Sequence, residues 1–186
     1  MSKNHERRRK NVRLAGRKPS IKLLCLRIGI QMQTEFQVGI PFIGFGQKAW
    51  INEIHYDDPG TDINEFIEIV IQDPSSLDLS LMKVDLYNGS GGAVYDTKTV
   101  NNFTVGSTNG TYTYYTFTYP SNGVQNGAPD GVALSYNGVL IQFLSYEGSF
   151  TGVGGVADGI TSLSIPVSET NADAAGVSLQ LIGPLT

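Results

Sequence analysis

Beyond about residue 50, apolar and polar side chains alternate in short runs separated by turn residues, the periodicity of half-buried strands. Residues 50–56 predict a first strand, broken by Pro59 and Gly60. Residues 65–71 predict a second. Ile67, Ile69 and Ile71 fall on one face and Phe66 and Val70 on the other, so this strand is apolar on both sides and belongs inside a sheet. Leu77, Leu79 and Leu81 alternate, and the phase then flips to Met82, Val84 and Leu86, which predicts a bulge or tight corner near Leu81. NGSGG (88–92) turns the chain into a strand over 93–97, and residues 101–110 are polar and turn-rich. TYTYYTFTY (111–119) predicts a strand with a bulge, placing Tyr112 and Tyr114 on one face and Tyr115, Phe117 and Tyr119 on the other. These aromatics suit cross-strand and core packing, with a glycan-stacking surface as the alternative. Residues 132–136 and 139–145 form a hairpin about Asn137-Gly138, the dipeptide with the strongest two-residue turn preference. A glycine-rich loop (147–160) follows, then a short edge-like segment (162–167) stopped by Pro166, and a last strand marked by Val177, Leu179 and Leu181.

About seven to nine short strands, with no amphipathic helix among them, predict an all-β sandwich. Composition agrees: Gly at 22, with 9 Tyr and 8 Phe, suits a turn-rich β domain. A single cysteine, Cys25, excludes an internal disulfide, and His5 and His55 are too far apart to match a metal or nucleophile signature.

Charge divides the chain. Ten of the 13 Lys and Arg lie within the first 30 residues, leaving Lys48, Lys83 and Lys98 against sixteen acidic residues beyond. Such a body repels nucleic-acid phosphate and attracts cations, so contact with nucleic acid or anionic lipid falls to the basic tail. Residues 1–46 are expected to lie outside the domain of 47–186, as a disordered basic tail or an aberrant export leader. A standard leader has one unbroken apolar run, whereas residues 21–30 are interrupted by Lys22 and Arg27, and the second run, FQVGIPFIGFG (36–46), comes late and contains Pro41. No segment reaches the roughly 18 apolar residues that span a bilayer.

Four stretches together resemble the lamin tail domain family in its bacterial form. They are INEIHYDDPGTDINEFIEI (51–69), LDLSLMKVDLYNGSGG (77–92), QNGAPDGVALSYNGVLIQFLSYEGSF (125–150), and DGITS (158–162) leading to GVSLQL (176–181). The resemblance covers about residues 50–183. It implies an immunoglobulin-like sandwich that is not itself catalytic and that serves as an accessory module on secreted bacterial proteins, beside nuclease or phosphatase domains. Family members continue past the SLQL strand into one more strand, commonly with a Trp, whereas this chain ends in Gly183-Pro184-Leu185-Thr186. The expectation is a sandwich lacking its last strand, with an open sheet edge that invites pairing with another chain.

The best candidate site is the acidic turn. Asp57, Asp58, Asp62, Asn64 and Glu65 place five oxygen-bearing side chains within nine positions, and calcium takes six to eight such ligands from a flexible loop. The same residues are also ordinary turn chemistry, because Asp58-Pro59-Gly60 bends the chain and Asp62 and Asn64 can bond their own backbone. Glu53 and Glu68, in mid-strand, are expected to face outward or be held by backbone amides. His55 is expected to be a packed or surface imidazole without a partner. Ser145, Glu147 and His55 lack the serine elbow and oxyanion glycines of a hydrolase, and the loop 148–159 lacks the lysine and helix of a phosphate cradle.

No catalytic residue is therefore expected. The leading expectation is a non-catalytic binding or adhesion module of a secreted bacterial protein, accessory to a nuclease-type enzyme, with a protein or extracellular polymer as partner. One alternative is a metal-dependent phosphoester hydrolase built on the 57–65 carboxylates. Another is an assembly module acting through the open edge.

Overall fold

A computed structural model describes residues 9–10 and 48–181. Apart from Arg9–Lys10, the expected tail or leader and its lipid or nucleic-acid contacts lie outside these residues. The described residues form strands β1 (Arg9–Lys10), β2 (Ala49–His55), β3 (Phe66–Gln72), β4 (Met82–Asn88), β5 (Ala93–Thr99), β6 (Thr104–Asn109), β7 (Tyr112–Thr118), β8 (Asp130–Tyr136), β9 (Val139–Tyr146), β10 (Leu163–Ser164) and β11 (Ser178–Gln180). They make two sheets, ordered β1-β11-β2-β3-β7-β6 and β10-β9-β8-β4-β5. The fold is an all-β sandwich. No helix among the described residues is long and apolar enough to cross a membrane.

The two sheets share one core. Ile51, Ile67, Ile69 and Ile71 of the first sheet pack with Val84, Leu86, Val132 and Leu134 of the second. A smaller apolar cluster of Tyr87, Ala133, Phe143 and Ala157, flanked by Phe150, Val156 and Ile160, brings the glycine-rich loop into the packing. As its two apolar faces predict, β3 is central, flanked by β2 and β7, with both Phe66 and Val70 buried.

Local chemistry sets the corners. The phase flip at Leu81 is a 3-10 turn, Leu79–Leu81, opened by Asp78, whose side chain accepts from the Ser80 amide. Asn137 and Gly138 both take positive φ, as a tight hairpin of right-handed twist requires. Two expectations are corrected. Residues 104–109 are a strand, although all six are exposed, because pairing with β7 orders them instead of burial. The bulge predicted in residues 111–119 is absent: β7 pairs with β3 in unbroken register from Phe66↔Thr118 to Gln72↔Tyr112, and simple alternation separates Tyr112 and Tyr114 from Tyr115 and Phe117. The irregularity lies in the other pairing of β7, between Val105 and Thr108 of β6.

The last sheet edge is also occupied in part. β11 pairs with β2 on one side and in parallel with Arg9–Lys10 on the other, over Arg9↔Ser178 and Lys10↔Leu179.

Candidate functional site

β2 ends at His55, and the acidic turn leads back into β3 at Phe66. Gly60 and Asn64 take positive φ within it, and the Asp58 amide donates to Asp62 Oδ1 at 2.9 Å, so the Asp62 side chain closes the bend. Two distant segments dock on this turn. From residues 120–126, Asn122 N and Ser121 Oγ donate to the Asp62 carbonyl at 3.1 and 2.6 Å. From residues 169–176, the Gly176 amide donates to Asp58 Oδ1 at 2.7 Å.

Four of the five predicted ligands are buried, and each is engaged inside the protein. Glu65, fully buried, accepts from the amides of Gly123 and Val124 at 2.7 and 3.2 Å. Burial raises its carboxyl above the usual range, against the pull of those two amides. Asn126 Nδ2 donates to Asp62 Oδ2 at 3.0 Å and reaches Asp57 Oδ1 at 3.4 Å, standing where a cation would bridge those two carboxylates. Burial also raises Asp57, opposed by Asn126 and reinforced by the charges of Asp62 and Asp58. Asn64 is exposed. Among the described residues no three His, Cys, Asp or Glu side chains are grouped to hold a metal ion.

A residue that the sequence did not flag organises this end of the sandwich. Glu169 is fully buried, and its Oε2 accepts from the amides of Tyr56 and Asp57, each at 2.8 Å. The same oxygen lies 3.2 Å from His55 Nδ1, and His55 Nε2 lies 3.4 Å from Asp58 Oδ2. Burial by itself would lower the imidazole. The hydrogen bond and charge of Glu169, then the charge of Asp58, outweigh it and raise His55 to about 9. Burial pushes the Glu169 carboxyl up, opposed by His55 and the two amides. Tyr56 completes the knot: its hydroxyl accepts from the Glu169 amide at 2.8 Å and donates to Glu147 at 3.2 Å, and its ring stacks on Tyr146 at 3.9 Å.

His55 is buried and packed, one of the two expected placements, but contrary to expectation it has partners. Asp58, three residues on, was a visible partner. Glu169, 114 positions away in a polar loop, carried no sequence signal. Glu53 and Glu68 pair across β2 and β3 on the face away from the core, as the outward alternative expected, and side chains hold them: Ser178 Oγ donates to Glu53, and Asn52 and Thr116 donate to Glu68. Ser145 is buried against the Ser162 hydroxyl at 2.8 Å, which fits a structural role.

Beside the acidic turn lies an open cleft of about 420 Å³, lined by Asp62, Asn88, Asn122, Gln125, Asn126 and Asp130 among others. Its walls offer carboxamides and two carboxylates, with no cationic side chain. Asp130 is itself tied down, accepting from the Gly89 amide at 2.9 Å. The arrangement can hydrogen-bond a polar ligand, but it presents no nucleophile with a neighbouring base. No protein-family model, curated protein or solved structure matches the chain.

Proposed function

We propose that the chain is a non-catalytic binding or adhesion module of the lamin tail kind, an immunoglobulin-like sandwich on a secreted bacterial protein, accessory to a nuclease-type enzyme. The sequence motifs at 51–69, 77–92 and 125–150 support the family reading. The observation that carries the non-catalytic reading is the position of Asn126. Its amide stands between Asp57 and Asp62, while backbone amides take up Asp58, Glu65 and Glu169. Carboxylates used in this way tie loops together. Activating water on a metal takes carboxylates that converge on an ion and leave it an open position. Calcium would have to displace Asn126 to bridge Asp57 and Asp62, so the reading includes no resident metal. A strongly acidic body of few lysines suits an extracellular setting.

The test is phosphomonoester and phosphodiester turnover with added magnesium, manganese, calcium or zinc, for the wild type and for Asp57→Ala/Asp62→Ala. The proposal expects no turnover above buffer in either. Metal-dependent turnover that disappears in the double variant would replace it with the hydrolase reading.

A further inference from the structure

The inward row Ile51, Ile69 and Tyr115 crosses β2, β3 and β7 and ends on Val105 of β6. The first three are buried, whereas Val105 is 63 % exposed, so the apolar row reaches the edge of the sheet uncovered. β6 is the outermost strand there and is exposed at all six residues; one side of its backbone pairs with β7 and the other faces solvent. Among the described residues the other sheet edges are shorter or partly occupied. β1 and β10 have two residues each, and β5 carries Asp96 and Lys98 and is bridged at Ala93 by Val153. Charge also sets β6 apart. Residues 99–129 hold no charged side chain, in a body of three lysines against sixteen acidic residues. Sheet edges are commonly protected by Lys, Pro or an inward charge, and Thr104–Asn109 has none of these. Its one irregularity is a bulge, where Gly106 and Ser107 stand opposite Tyr114 alone.

We infer that β6 pairs with β6 of a second copy of this chain, antiparallel about a twofold axis, joining two sheets into one. Backbone amides and carbonyls supply the bonds, and each Val105 gains a neighbouring strand beyond the rim of its core. Two copies of so acidic a body repel where charged faces meet, and β6 is the neutral approach. Every charge near this edge fits the pairing. Glu68 lies two strands in, so across the axis it is five strand spacings from its copy, about 24 Å and well beyond the roughly 8–10 Å screening length. Asp73, whose amide donates to the Thr111 carbonyl at 2.8 Å, stands at the β6–β7 turn, and antiparallel pairing keeps the two copies of it at opposite ends. Lys98, over the Phe117 ring at 5.4 Å, is paired with Asp96 at 2.6 Å. The basic strand β1 is at the far edge of the same sheet, also about 24 Å away. The bulge twists the edge against open-ended growth, and a twofold pair uses up both β6 edges, so the assembly closes as a dimer. A six-residue edge gives a small interface of the weak, reversible class. The pairing is independent of what the module binds.

The experiment is sedimentation equilibrium of the full chain from micromolar to millimolar concentration, at low and at high salt, in reducing buffer so that Cys25 cannot cross-link. Hydrogen exchange is followed at both ends of the range. The mass should rise from near 20.1 kDa toward twice that and no further, in both salts. Protection should be gained over residues 104–109 and not over 93–99 or 178–180. Val105→Glu should hold the mass near 20.1 kDa throughout with the melting temperature little changed, since Val105 lies outside the core. Val139→Glu makes the same charge change on an exposed valine of β9 and should dimerise as the wild type does. A monomer at every concentration overturns the inference and leaves the edge to a strand of another protein. Association that survives Val105→Glu or grows past two copies also overturns it. So does association that dissolves in high salt, as contact between a basic tail and an acidic body would.

Discussion

His55 Nδ1 lies 3.2 Å from Glu169 Oε2, joining the end of β2 to a loop 114 residues later. With Asp58 Oδ2 at 3.4 Å from the other ring nitrogen, the imidazole stands between two carboxylates, and the Phe66 ring packs at 5.9 Å. The folded imidazole holds its proton up to about 9, against an ordinary value of 6.5. Its contribution to stability is therefore fully present below about pH 6.5 and is lost as pH rises through about 9. The buried carboxyls of Asp57, Glu65, Asp85, Asp130 and Glu169 are all raised by burial, so each also favours the folded state most when protonated. The melting temperature should fall steadily from mildly acidic to alkaline pH. His55→Gln should lower it at pH about 6, flatten the fall, and approach the wild type above the folded value of about 9. A wild-type melting temperature that rises with pH over this window would contradict the assignment.

Glu169→Ala removes the acceptor of two buried amides and of the His55 ring in one step. Breaking a buried pair in this way costs about 3–5 kcal/mol. Scanning calorimetry should show a fall of roughly 10 °C or more for a body of this size. Glu169→Gln keeps an oxygen for the amides and loses the charge. It should cost less than the alanine variant while still reducing the pH dependence.

Glu65 anchors the 120–124 turn from beneath, through Gly123 and Val124. In Glu65→Ala those two amides lose their acceptor, at a cost of about 1–3 kcal/mol. Hydrogen exchange at Gly123 and Val124 should accelerate more than exchange in β8 and β9. Equal acceleration everywhere would mean that Glu65 acts on global stability and not on this turn.

Asn126 is the neutral member of an otherwise acidic group. Asn126→Asp exchanges its donor amide for a third carboxylate facing Asp57 and Asp62. Like-charge repulsion should lower the melting temperature in a chelator, and calcium should restore part of the loss, since an ion can then hold the carboxylates together. Equal melting temperatures with calcium and with chelator would show that the three oxygens do not converge.

Most strands were legible because burial imposes a period of two on their side chains, as Ile67, Ile69 and Ile71 demonstrate. β6 was not, because Thr104–Asn109 is wholly exposed and its order comes from β7. Tyr114 and Tyr115 appeared to need a bulge, yet adjacent residues of a strand point to opposite faces, and both faces here take aromatics. At the site, the acidic turn stood out in the sequence, but its use did not. Glu169 lies in SETNADAAG (168–176), which has no apolar period, and its link to His55 depends on how the loop before β11 is carried back across β2. Asn126 likewise offered only turn chemistry until the fold placed it between two carboxylates.

The most direct test of the central claim, that the acidic turn is an internal tie and not a ligand set, is the wild-type melting temperature in a chelator and in millimolar calcium at fixed ionic strength. A ligand that binds the folded state must raise it in proportion to occupancy. The two melts should coincide within about one degree, far below the shift that occupancy at 100 Kd, about 2.7 kcal/mol, would cause. A rise of several degrees that disappears in Asp57→Ala/Asp62→Ala would contradict the account and make the turn a calcium site.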